Sequence, residues 1–97
     1  MPNYKLSVQA NEDLIRIYQF VIVKLGQAQA DNYLDALFNH FEIIAQRPLA
    51  FEAIDHIRPG YRRSVCGIES VFYRVANETV EIMSIIGRQD IHLIFKE

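Results

Sequence analysis

Residues 11–46 read NEDLIRIYQFVIVKLGQAQADNYLDALFNHFEIIAQ. Leu14, Ile17, Tyr18, Val21, Ile22 and Leu25 recur at the three-and-four spacing that lines one side of an α-helix, and Leu34, Leu37, Phe38, Phe41, Ile44 and Ala45 repeat it. Asn11 is the predicted N-cap of the first helix, with Glu12 and Asp13 in a first turn where carboxylates suit the positive end of the helix dipole. Gly26 fits the left-handed position just past a helix end. One residue between two helices makes an antiparallel hairpin the economical arrangement, so the second helix is predicted over Gln27 to Gln46. Pro48 stops it: the residue before a proline is biased away from the helical region, so the helix runs no further than Arg47. Ile15, Phe20 and Val23 fall off the first stripe, which leaves this helix with more apolar surface than one contact with a core covers.

Outward from the hairpin the periodicity changes. Tyr4-Lys5-Leu6-Ser7-Val8 alternates apolar and polar residues with period two, as a short strand with one covered face does. After Pro48, Leu49 to Ile57 reads as an irregular link pinned to the core by Phe51 and Ile54. Tyr61 to Cys66, Glu69 to Ala76 and Thr79 to Ile86 then read as strands, separated by short turns at Gly67 and at Asn77-Glu78. Such turns force neighbouring strands to pair directly, as an antiparallel meander. The predicted order is β-α-α-β-β-β, an α+β fold whose helix hairpin packs on one face of a small antiparallel sheet. Val71, Tyr73, Val75, Val80 and Ile82 are the expected helix-facing residues, and the other sheet face is expected to stay free for function.

The 97 residues suffice for one compact domain, residues 1–97, and not for two. With 51% apolar and 23% charged residues the chain has the composition of a folded globule. Cys66 stands alone, so neither an internal disulfide nor a cysteine zinc site can form, and a reducing cytoplasm is the expected compartment. The longest apolar run, Phe20 to Val23, is far too short to span a membrane, and Met1-Pro2-Asn3-Tyr4 lacks the features of a signal peptide. The formal net charge is -2, yet His56 to Ala76 holds Arg58, Arg62, Arg63 and Arg74 against the single acid Glu69, a local 4 - 1 = +3. Arginine also exceeds lysine, and its planar fork makes the better paired contacts with carboxylate, phosphate or carbonyl oxygens.

Particular segments give the chain a resemblance that extends over nearly its whole length. They are Tyr4-Lys5-Leu6-Ser7 with Ala10 and Asp13-Leu14, the Gly26-Gln27-Ala28 joint with Tyr33 and Leu37, and the Arg47-Pro48 stop. Asp55-His56-Ile57-Arg58-Pro59-Gly60-Tyr61-Arg62-Arg63 follows, then Gly67, Phe72-Tyr73-Arg74 and Val80-Glu81-Ile82. In these the chain resembles the ParE branch of the RelE/ParE toxin superfamily, most specifically through Ile57 to Arg63. The resemblance implies the fold above, neutralisation by a ParD-like antitoxin in a hetero-oligomer, and inhibition of DNA gyrase. At Ile68-Glu69 the chain departs from relatives that carry a polar residue and then histidine, so no role of that histidine carries over.

The alternative is a RelE-like endonuclease cutting messenger RNA on the ribosome. That chemistry needs a base for the 2′-hydroxyl, a cation for the phosphorane and an acid for the leaving oxygen. The arginines supply cations. Of the histidines, His40 falls among buried helix neighbours and His56 in the link, which leaves His92 beside Arg88 as the catalytic candidates, with Tyr61 and Tyr73 as further possible acids. A pI near 5.9 argues against a ribosome-bound enzyme. No glycine-rich phosphate loop, metal-ligand cluster or Ser-His-Asp spacing is present, Cys66 reads as structural, and no cofactor is implied.

The expected activity is therefore binding rather than catalysis. Arg58, Tyr61, Arg62, Arg63, Arg74 and Arg88 are the predicted target-binding residues, on or beside the free sheet face. Ile15, Phe20 and Val23 are the predicted antitoxin contacts, for an acidic amphipathic segment that folds as it binds. Neither a membrane nor sequence-specific nucleic acid is an expected partner. A third possibility is a non-toxic member that acts only in a regulatory complex with its antitoxin.

Overall fold

The computed structural model describes residues 3–87. Its elements are β1 (Tyr4–Leu6), α1 (Val8–Leu25), α2 (Gln27–Gln46), β2 (Glu52–Ala53), β3 (Tyr61–Cys66), β4 (Glu69–Ala76) and β5 (Thr79–Gly87). Ser7, not Asn11, caps α1, so the helix begins four residues earlier and β1 is two residues shorter than the alternation predicts. Ser7 has extended backbone angles (φ -68°, ψ 167°), and its Oγ accepts the Ala10 N–H at 2.9 Å. The same hydroxyl donates to Met83 O at 2.8 Å, a tertiary bond that no local pattern encodes. Gly26 (φ 92°) separates the helices, and α2 spans the predicted residues.

The sheet order is β1-β5-β4-β3-β2. β3, β4 and β5 form the predicted antiparallel meander. Asn77 and Glu78 both take positive φ (53° and 61°), the geometry that matches a two-residue turn to strand twist. Two features enlarge the predicted sheet. β1 lies parallel to β5, pairing Tyr4 with Val80 and Leu6 with Ile82, which makes the sheet mixed. The link read as irregular contributes β2, two residues paired antiparallel to Arg62 and Arg63. Pairing that brief leaves no period to detect.

The hairpin packs on one sheet face. Leu14, Ile17, Val21, Leu37, Phe41 and Ile44 meet Val71, Tyr73, Val80, Ile82 and Ile85 in the main core, and Tyr73 donates its hydroxyl to Pro48 O at 2.6 Å. Val75, expected among them, is 43% exposed because it sits next to the β4–β5 turn, at the strand's end. The face expected to be free carries its own small core, Ile54, Phe72 and Ile86 with Tyr61 against it. The link thus straddles the sheet: Phe51 packs on the main core and Ile54 on the second cluster.

Candidate interaction surfaces on the two faces

Along β3 the side chains alternate, and the alternation separates the arginines. Arg63 lies on the face away from the helices, where its Nε donates to Ser70 Oγ at 3.1 Å and its Nη1 is 3.6 Å from Glu52. Arg62 points the other way and donates to Phe51 O at 2.6 Å, bracing the link. The structure therefore removes Arg62 from the predicted arginine face. Arg74 lies on that face with its Nε 2.6 Å from Glu81 Oε1, and Lys5 Nζ is 3.7 Å from the other oxygen. This bonding holds the Glu81 carboxyl below the usual carboxylate range and raises the Arg74 guanidinium. Arg88 and His92 lie outside the described residues.

The Asp55–Arg63 run is largely a folding device. Asp55 Oδ1 accepts the Gly60 N–H at 2.8 Å, Gly60 takes a positive φ (82°), and Ile54 N–H bonds Tyr61 O across the loop base. Arg58 projects from this loop with its guanidinium 5.3 Å from the Tyr61 ring centroid. Beside it is a cavity of about 310 Å³ lined by Ile54, Ile57, Tyr61, Phe72, Met83 and Ile86. The sequence reading missed this apolar floor. Its signal is present in β4, where Val71, Phe72 and Tyr73 are apolar on both phases of the strand, as in a strand covered on both faces.

On the other side, α1 and α2 enclose a groove of about 490 Å³, with Leu14, Ile15, Tyr18, Ile22, Leu34 and Phe38 among its walls. Ile15, Phe20 and Val23 are 58%, 60% and 82% exposed, so all three are surface rather than core. They do not share one site. Ile15 lines the groove, Phe20 lines a separate cavity with Leu25, Tyr33 and Ile68, and Val23 lines neither.

The proposed acid–base residues are dispersed. The Tyr73 hydroxyl is spent on Pro48 O on the helix side, and burial raises its pKa. His40 Nε2 lies 2.7 Å from the buried Ser64 Oγ, beneath Phe51, where burial lowers the imidazole pKa. His56 is exposed in the loop. Burial, with Glu69 nearby, pushes the Cys66 thiol up, keeping it protonated and unreactive at neutral pH. Among the described residues no group of three His, Cys, Asp or Glu could hold a metal ion, and no helix is long and apolar enough to cross a membrane.

Comparison with known proteins agrees over almost the whole chain. A Toxin ParE1 of Caulobacter vibrioides is 36% identical over 86 residues, 89% of this chain and 88% of that protein. A Toxin ParE1 of Mycobacterium tuberculosis (strain H37Rv) is 34% identical over 87 residues, 89% of each. A chain of the chromosomal ParDE TA system from P. aeruginosa superposes with a TM-score of 0.76 at 22% identity, over 88% of this chain and 94% of that one. Residues 4–92 match the family described as the ParE toxin of the type II toxin-antitoxin system parDE, and the chain belongs to that family.

Proposed function

We propose that the protein acts in the cytoplasm by binding and inhibiting DNA gyrase, and that a ParD-like antitoxin neutralises it. The observation that carries the binding reading is the division of labour between faces. The helix hairpin offers an open apolar groove, suited to an amphipathic segment that folds on docking. The opposite face offers Arg58 and Tyr61 at an apolar cavity, with Arg63 and Arg74 elsewhere on the same face, suited to a protein surface. Ile15 is then the groove contact for antitoxin, with Phe20 and Val23 extending the contact along α1. Arg88, outside the described residues, is proposed as a further target contact.

Catalysis on RNA is the second reading, and His92 with Arg88 is its candidate pair. The dispersal of His40, His56 and Tyr73 favours binding. A supercoiling assay with antitoxin-free protein, run beside a ribosome-dependent messenger RNA cleavage assay on the same preparation, tests the choice. Lost supercoiling or trapped cleaved DNA with intact RNA is the expected result; cut RNA with normal supercoiling refutes it. Harmless overproduction without antitoxin points instead to a purely regulatory member.

A further inference from the structure

The cavity on the arginine face is a socket of two chemically different parts. Ile54, Phe72 and Ile86 are buried and form its floor, while Ile57, Tyr61 and Met83 rise around about 310 Å³, room for one bulky side chain. At the rim stands Arg58. Arg63, Arg74 and Lys5 on the same face are each matched by Glu52 or Glu81, whereas among the described residues Arg58 has no carboxylate partner, only the Tyr61 ring. Asp55, the nearest acid in its loop, is engaged with the Gly60 N–H. The Ile57 and Arg58 N–H groups both bond Ile54 O, and the Tyr61 N–H bonds Arg58 O, so the loop backbone that carries Arg58 is braced on both sides of it. A cation carried on an ordered backbone beside a preformed apolar pocket has less freedom to lose on binding than one on a loose loop.

We propose that this socket receives an acidic segment of the target protein, with a bulky apolar side chain entering the pocket and a neighbouring carboxylate pairing with Arg58. The inference deepens the reading that the arginine face meets the target, and rests on it. Charge complementarity selects the ligand: one uncompensated guanidinium beside an apolar floor calls for one carboxylate beside an apolar anchor. A nucleic-acid backbone calls instead for a row of uncompensated cations, and three of the four here are already paired.

The test uses the full chain, methyl-labelled at isoleucine and methionine, titrated with the peptide Ac-Asp-Glu-Trp-Asp-Glu-NH2. Expected are shifts at the Ile57, Ile86 and Met83 methyls with none at Ile15 and Ile22, which line the helix groove. Affinity falls about tenfold in Arg58→Gln, and equally when alanine replaces the tryptophan of the peptide. Unchanged Ile15 and Ile22 signals in Arg58→Gln establish that the variant is folded. No shifts, shifts at Ile15 and Ile22 instead, equal affinity for a lysine version of the peptide, or displacement of the peptide by oligouridylate would each overturn the proposal. The gyrase reading fails separately. Peptide binding with intact supercoiling refutes gyrase as target and leaves the socket standing; inhibited supercoiling with a silent socket does the reverse.

Discussion

Asp13 sits in the second turn of α1, only 5% exposed, and its carboxylate is fully employed. Oδ2 accepts the Ile85 N–H at 2.9 Å, and Oδ1 receives Gln9 Nε2 and, at 3.4 Å, Arg16 Nη2, which also reaches Ile85 O. With Ser7 on Met83 O, these side chains take the backbone bonds of β5 beyond the end of β1, where among the described residues no strand pairs with that edge. Asp13→Ala strands the Ile85 N–H away from water and is expected to cost about 1–3 kcal/mol in urea unfolding. His40 is a second residue with a measurable consequence. Burial holds its pKa below the ordinary 6.5, so the folded state resists protonation that the unfolded chain accepts. This contribution is complete above pH 6.5 and is lost as pH falls below that value. Melting temperatures of the wild type and His40→Gln should therefore converge on acidification from pH 7.5 to 5.5, and parallel curves would contradict the assignment.

At the scale of elements, the β4–β5 turn holds the clearest strain. Glu78 adopts φ 61°, a left-handed conformation in which an L side chain crowds its own backbone at about 1–2 kcal/mol, and an Asn-Gly pair is the preferred sequence there. Glu78→Gly is expected to raise the melting temperature by several degrees, since about 1 kcal/mol shifts a domain of this size by roughly 4–8 °C. A lower melting temperature would show that the side chain contributes more than the strain costs. The first helix makes the complementary point. Leu14 and Ile15 are adjacent, yet one is core and the other surface, so Leu14→Ala should cost about 2–5 kcal/mol and Ile15→Ala about 0.5 kcal/mol or less, read by thermal melting.

For the whole molecule, the sheet acts as a partition with a different chemistry on each side. If the helix groove and the arginine face serve different partners, the two functions separate by mutation. Ile15→Ser should weaken antitoxin binding about tenfold in calorimetry and leave supercoiling inhibition intact, while Arg63→Gln with Arg74→Gln should do the opposite. Equal losses in both assays for either variant would mean that one surface serves both.

The sequence by itself determined what local chemistry can encode. Both helix stripes apart from Leu25, which is 67% exposed at the end of α1, the Gly26 joint, the Pro48 stop, three strands and the turns between them were legible because each depends on periodicity or on a residue with a special backbone preference. So was the surplus apolar surface of α1, since Ile15, Phe20 and Val23 lie off a 3.6-residue period. The tertiary structure decided everything that needs a distant partner. Ser7 displaces Asn11 as cap because Met83 O waits across the fold, β2 exists only because β3 lies beside it, and β1 becomes parallel because β5 returns to that edge. The candidate site divides the same way. Counting arginines located the basic window, but only the pleat of β3 turns Arg63 outward and Arg62 inward to Phe51 O. A cavity beneath Arg58 forms when Ile54 from the link meets Phe72 and Ile86 from the sheet, residues far apart along the chain and close only after folding.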